Sequence, residues 1–238
     1  MAQTQPAGRD PYGELKQQAA DVAVNEIRSG MVLGLGTGST VKFALEGIGR
    51  KIRSGELSDI SGIPSSIQTG QIARECGIPL TDFERHDRID ITIDGADEVD
   101  PNMNLIKGGG GALLREKVLA QVSRRIVIIV DESKLSLELG TLCPLPVEVV
   151  PFAWQPVAGY LKTELKAEIS LRKTSDQQIF LTDQGNYILD CWFGAITHPG
   201  NLASRLERRA GIVEHGLFIG MATEVVVAGD HGIGRLKR

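Results

Sequence analysis

The run Ile126-Val-Ile-Ile-Val130 is five consecutive apolar residues, all β-branched, with no polar position among them. A strand that faces water on one side alternates apolar and polar residues. An unbroken run needs cover on both faces, as in a parallel sheet flanked by helices. The chain before it supplies the required alternation. Spacing predicts a helix over 14–28, with Leu15, Ala19, Val22, Ala23 and Ile27 on one side. Met31 to Leu35 reads as a strand, Gly36 to Thr40 as a tight turn, and Val41 to Ile52 as a helix. A strand before Pro64 and a helix over 68–75 follow, then a strand over 89–93 and a helix over 112–122. Residues 1–13 read as a loose tail.

After about residue 135 the pattern changes. Cys143-Pro-Leu-Pro-Val-Glu-Val-Val-Pro151 is an extended, proline-bounded segment. Residues 152–167 read as a helix, and 168–171 and 178–193 as strands, the second folded as a hairpin about 183–186. A helix over 201–209 and strands over 216–219 and 224–227 complete the chain. The fold class expected is therefore α/β: a Rossmann-like, mostly parallel sheet, with a second, smaller α+β domain inserted before the C-terminal strands. Residues 1–140 and 213–238 are assigned to the first domain and 141–212 to the second.

With 238 residues the chain is long enough to bury a sizeable core. Its 28 glycines sit beside an aromatic content of only 5%, which disfavours a stacking platform for single-stranded nucleic acid. The net charge of −4 argues against a broad polyanion partner, though a small phosphate ester needs only local positive charge. Cys76, Cys143 and Cys191 lack metal spacing and read as thiols of a reducing compartment. The N-terminus has no apolar signal core, and no run approaches the ~18 apolar residues of a membrane span. A cytoplasmic protein is expected.

Four segments at strand ends hold the candidate chemistry. Gly34-Leu-Gly-Thr-Gly-Ser-Thr40 precedes a helix, where backbone N–H groups and the helix N-terminus favour an anion. Ser39 breaks the dinucleotide pattern, and the nucleoside-triphosphate loop would need a lysine before its hydroxyl residue. A plain strand–helix turn explains this segment about equally well. Asp94-Gly-Ala-Asp-Glu-Val-Asp100 places four acids in seven residues after a strand, suited to proton transfer or hydroxyl recognition. A solvated acidic turn is the alternative. Lys107 is followed by four glycines and, on the next helix, Glu116, a candidate base. Such a glycine run costs entropy to order unless backbone must approach something closely. Asp131-Glu-Ser-Lys134 adds a lysine at another strand end. The histidines show no metal spacing, and no nucleophile elbow is present.

These motifs occur together with Pro144 to Val149, Thr182-Asp-Gln-Gly-Asn-Tyr-Ile-Leu-Asp190 and Gly211 to Phe218. In that order they resemble the type A ribose-5-phosphate isomerase family over roughly residues 14–230. The resemblance implies an aldose–ketose isomerase that interconverts D-ribose 5-phosphate and D-ribulose 5-phosphate through a cis-enediol(ate), without metal or redox cofactor. It implies that Glu116 moves the proton between C2 and C1, that Asp94 assists ring opening, and that Asp97 and Lys107 hold sugar oxygens. Thr37, Gly38, Ser39 and Thr40 match the substrate loop, and Gly95, Ala96, Gly108, Gly109 and Gly110 complete the substrate contacts. Lys134 matches a substrate-binding lysine and Lys16 a phosphate contact. The resemblance further implies a homodimer whose partner is a small sugar phosphate, with no nucleic acid and no membrane. Gly111 stands where the family often has alanine, and little effect is expected of it. The role of Ser65 to Thr69 is left open. A sugar-phosphate deaminase or lactonase, and a non-catalytic sugar-phosphate sensor, are the competing readings.

Overall fold

The computed structural model describes residues 12–238. The tail expected over 1–13 lies outside them except for Tyr12 and Gly13, and Gly13 already opens the first helix. In chain order the elements are α1 (Gly13–Val24), β1 (Val32–Leu35), α2 (Ser39–Arg53), β2 (Ser61–Pro64), α3 (Ile67–Glu75), β3 (Ile91–Asp94), β4 (Glu98–Val99), β5 (Leu105–Ile106), α4 (Leu113–Val122) and β6 (Ile126–Asp131). There follow β7 (Leu145–Val149), α5 (Trp154–Thr163), β8 (Glu168–Leu171), β9 (Tyr187–Trp192), α6 (Pro199–Glu207), β10 (Ile212–His215), β11 (Leu217–Phe218), β12 (Glu224–Gly229) and β13 (Gly232–Lys237).

The main sheet has the order β13-β12-β6-β3-β1-β2 and is parallel except at its β12–β13 edge. The unbroken apolar run falls on β6, whose residues are all buried. Its side chains part by the period of two. Val127 and Ile129 join Ala19, Ala23 and Leu45 in one core, while Ile126, Ile128 and Val130 join Met103, Ala120 and Phe218 in the other. Cover on both faces is the reason no polar residue interrupts it. The chain leaves β1 for β2 on one side and reaches β3 on the other. This reversal opens a crevice at the carboxyl ends of β1 and β3, where open α/β sheets bind ligands.

A four-stranded antiparallel sheet, β10-β7-β9-β8, carries its own core of Leu145, Val147, Val149, Leu161, Leu189 and Leu206. The expected return to the first domain at residue 213 falls inside β10, which pairs with β7 of this smaller sheet. Residues 178–193 do not form one hairpin. Only β9 is a strand, lying between β7 and β8. The segment before it folds back instead, with Phe180 N–H donating to the Arg172 carbonyl at 3.0 Å. The turn between them is fastened to β7, because Thr182 Oγ1 and Asn186 Nδ2 each donate to Glu148 at 2.9 Å. Residues 217–218 join neither larger sheet but a three-stranded one with β5 and β4. The edge strand β13 has no counterpart among the sequence expectations. It is drawn to the sheet by Arg235, which donates to Glu26 and to buried Glu224 at 2.7 Å each. Among the described residues no helix is long and apolar enough to cross a membrane.

The acidic segment after β3 is divided by the fold. Asp100 closes a local turn onto Asn102 and Asn104. Glu98 is fully buried and accepts from the N–H groups of Gly140 at 2.9 Å and Thr141 at 3.1 Å, and from the Thr141 hydroxyl at 2.9 Å. Burial alone would raise the Glu98 pKa, but the hydroxyl and amide donors around it outweigh that and hold it below the usual value. A carboxylate so depressed stabilises the fold above its unfolded-state pKa and loses that contribution as pH falls through the folded-state value. We therefore expect Glu98→Gln to cost about 1–3 kcal/mol in urea unfolding at neutral pH, with the gap from the parent protein closing in acid.

Candidate active site

Lys107 is the centre of the crevice. Its ammonium lies 3.0 Å from Asp94 and 3.3 Å from Glu116, and donates to the Gly95 carbonyl at 2.6 Å. All three side chains are nearly inaccessible, at 3%, 2% and 4% for Lys107, Asp94 and Glu116. Asp94 ends β3, Lys107 follows β5, and Glu116 lies in the first turn of α4. Three elements thus bring two acids and one cation together out of water.

One lysine neutralises one carboxylate; the second remains a buried, uncompensated charge. Burial would lower the Lys107 pKa, but Asp94 and Glu116 raise it well above its usual value. The cost falls on the acids. Burial pushes Glu116 up to about 8, against the pull of Lys107 and with help from Asp94 and Asp97. Asp94 is also raised by burial, against Lys107 and the amides of Gly95 and Thr37. Burial thus raises the proton affinity of both carboxyls, with the Lys107 cation between them pulling the other way.

Above the trio is a cavity of about 130 Å³. Its wall includes Thr37, Gly38, Ser39 and Thr40 from the first glycine loop, Gly95, Ala96 and Asp97 from the acidic loop, and Lys107 to Gly110 from the second glycine loop. Glu116, Lys134 and Lys16 complete it, and Lys16 Nζ donates to Ser39 Oγ at 3.1 Å. Every expected site residue is thus brought together, with Asp94 the exception in placement. Asp94 lies beneath Lys107 and off the cavity wall, its Oδ1 taken by the amides of Gly95 at 2.7 Å and Thr37 at 3.2 Å.

The two glycine loops are shaped for different tasks. Gly38 caps α2 with no side-chain acceptor, so the first-turn amides remain available to an anion, favoured there by the helix dipole. Gly36 crosses directly over Asp94, and a Cβ on it would meet Asp94 Oδ1 at 2.2 Å. In the second loop Gly109 N–H donates to Asp97 Oδ2 at 2.7 Å and so aims that carboxylate. Gly111 does not readily take a side chain in this backbone. Its φ of +82° costs an L side chain about 1–2 kcal/mol, and a Cβ would come within 2.5 Å of the Phe180 ring.

The open question of Ser65 to Thr69 is answered by a cluster of hydroxyls. Thr37 Oγ1 lies 2.7 Å from Ser65 Oγ, 2.9 Å from Ser66 Oγ and 2.9 Å from Thr69 Oγ1. Thr69 in turn donates to the Gly36 carbonyl at 2.9 Å. Three buried hydroxyls thus anchor the first glycine loop from behind. Their position just past β2, at the carboxyl edge of the sheet, is the signal that points to them. Arg172, which bonds the second glycine loop, has no such local signal. Among the described residues no group of three or more His, Cys, Asp or Glu side chains is arranged to hold a metal ion.

The cavity suits an anionic, hydroxyl-rich small molecule and a proton moved between neighbouring atoms. Comparison with known proteins narrows this. Residues 61–232 match the family model for ribose 5-phosphate isomerase A (phosphoriboisomerase A). The ribose-5-phosphate isomerase A of Desulfatibacillum aliphaticivorans is 54% identical over 223 residues, covering 94% of this chain and 96% of that one. The solved ribose 5-phosphate isomerase from Plasmodium falciparum superimposes with a TM-score of 0.92 at 42% identity, over 95% of this chain and 99% of that one. A D-ribose-5-phosphate isomerase in complex with phospho-erythronic acid gives 0.92 at 39% identity, over 94% and 98%. This is an aldose–ketose isomerase of sugar phosphates. The chain belongs to the ribose-5-phosphate isomerase A family, which interconverts ribose 5-phosphate and ribulose 5-phosphate.

Removing the central cation should expose the cost of the buried acids. Lys107→Met is expected to lose activity and about 3–5 kcal/mol of stability at neutral pH in denaturant unfolding. Both orphaned carboxyls would then be raised in the fold, so the loss should grow as pH rises and shrink in acid.

Proposed function

We propose that Glu116 is the base of the isomerisation and that Lys107 is its electrostatic partner. The observation that supports this most directly is the buried Asp94–Lys107–Glu116 trio beneath the cavity. Open-chain ribose 5-phosphate places its phosphate at the uncapped N-terminus of α2, among Ser39, Thr40 and Lys16. Glu116 removes the proton from C2, and the electron pair moves toward the carbonyl oxygen at C1. The resulting cis-enediolate carries its negative charge beside Lys107, where a fixed cation in a dry site lowers the barrier more than it would in water. A proton passes from the C2 hydroxyl to the C1 oxygen, and as the C2 oxygen becomes the carbonyl the same carboxyl returns its proton to C1, giving the ketose. Asp97, aimed by Gly109, and Lys134 hold sugar hydroxyls. Ring opening belongs to Asp94 by the family resemblance. Its carboxylate is turned to Lys107 and two amides, so that step needs a sugar hydroxyl to displace one of those donors.

Glu116→Gln is expected to bind ribose 5-phosphate nearly as well as the parent while turnover drops by ~10²-fold or more. Near-normal turnover in that variant would remove Glu116 from the role. Since the base must be ionised, kcat/KM should rise with pH through a pKa displaced upward, toward about 8, from the usual carboxylate range. A flat profile between roughly pH 6 and roughly pH 9, a window that spans the displaced value, would contradict the assignment. The reaction calls on no metal, so the ribose 5-phosphate to ribulose 5-phosphate assay should be unaffected by chelator.

The homodimer is carried by the family resemblance alone, and light scattering of the purified protein tests it; the cytoplasmic location rests on the sequence reading of the three cysteines as reduced thiols. We also propose that the two larger sheets mark separate domains, residues 1–140 with the C-terminal strands and 141–212 extended through β10.

A further inference from the structure

Arg172 lies just past β8, outside every motif that the reaction uses. Its guanidinium is clamped by Asp190 of β9, through Nε to Oδ2 at 2.9 Å and through Nη2 to Oδ1. The remaining nitrogen, Nη1, donates to two backbone carbonyls of the second glycine loop, Gly108 at 2.8 Å and Gly109 at 3.0 Å. The Phe180 ring lies 5.9 Å from the guanidinium carbon and packs against Gly111 at the far end of the same loop. The fixed, planar fork is what makes this double duty open to arginine and closed to lysine.

The consequence for the loop follows from peptide geometry. Consecutive glycines have no Cβ to oppose rotation of the peptides between them. Each peptide turns either its N–H or its C=O toward the cavity. Two carbonyls captured by Arg172 point to the small sheet, and Gly109 N–H is left aimed at Asp97. A flipped peptide would put a carbonyl oxygen beside the enediolate, where like partial charges repel, and would release Asp97.

We propose that Arg172, oriented by Asp190, is a positioning residue that locks the second glycine loop with its carbonyls away from the reacting atoms. The inference rests on the reading of the cavity given above. It assigns the smaller sheet a part in the chemistry without any contact between Arg172 and substrate. Because the flip would hurt the charged intermediate more than the neutral sugar, the effect falls on kcat more than on KM.

A cavity of about 330 Å³ beside the site is lined by Arg172 together with Asp97, Gly109 and Lys134, which opens a test by chemical rescue. Steady-state kinetics of Arg172→Ala and Arg172→Lys are measured with and without guanidinium ion at non-denaturing millimolar concentration. For Arg172→Ala we expect kcat to fall about tenfold or more, KM to change less, and guanidinium to restore several-fold of the lost turnover. Arg172→Lys should keep the parent melting temperature and fall between. Parent-like kcat in either folded variant overturns the proposal, as does a loss confined to KM. If Arg172→Ala does not fold, the lysine variant decides: reduced kcat with unchanged melting temperature supports the lock, and unchanged kcat overturns it. Glu116→Gln run alongside should gain nothing from guanidinium. Failure of the underlying reading is distinguishable, since the parent protein itself would then not isomerise ribose 5-phosphate.

Discussion

Two carboxylates and one ammonium cannot be buried together without a charge left over, and much of this molecule is arranged around that remainder. Lys107 is within 3.3 Å of both Asp94 and Glu116 in a place that water barely reaches. Burial raises the proton affinity of both carboxyls while Lys107 opposes it, a setting suited to a reaction that only relocates a proton. A site exposed to solvent would leave both carboxylates in their ordinary range.

Holding that arrangement takes support from three sides. The Ser65, Ser66 and Thr69 hydroxyls fix the first glycine loop from behind, and that loop donates Thr37 N–H to Asp94. On the opposite side the smaller sheet grips the second glycine loop through Arg172 and Phe180. A third tie runs along α4. Lys117, the neighbour of Glu116, donates to Glu214 at 2.6 Å and to the His215 carbonyl at 2.7 Å on β10. Phe218 lies beneath both lysines, 5.5 Å from Lys107 and 4.9 Å from Lys117. The helix that carries Glu116 is therefore seated on the smaller sheet as well as on the larger one.

Much of this was legible in the order of residues. An uninterrupted β-branched run demanded a doubly covered strand, and β6 is one. Strand ends followed by glycine, acid or lysine marked the carboxyl edge, and all the loops so marked meet at one cavity. Other features were hidden because their partners are distant in the chain. Four acids in seven residues look alike in sequence, yet Glu98 is spent on the amides of Gly140 and Thr141, more than 40 positions away. The stretch 178–193 has the alternation and turn of a hairpin. Its second half pairs instead with β7 and β8, because Glu148 captures the turn.

Taken alone, the sequence determined the layer architecture and the chemical inventory of the site, since both follow from local pattern: a period of two, a glycine after a strand, a cap at a helix start. It also placed Glu116 on the helix after the glycines. What only the tertiary structure decided is the state of those groups. A carboxylate's proton affinity depends on how much water it has lost and which charges stand within a few ångströms, and neither is a property of neighbours in the chain. The same holds for Arg172, an ordinary basic residue until the fold brings it within 3.0 Å of the carbonyls of Gly108 and Gly109, more than 60 positions earlier.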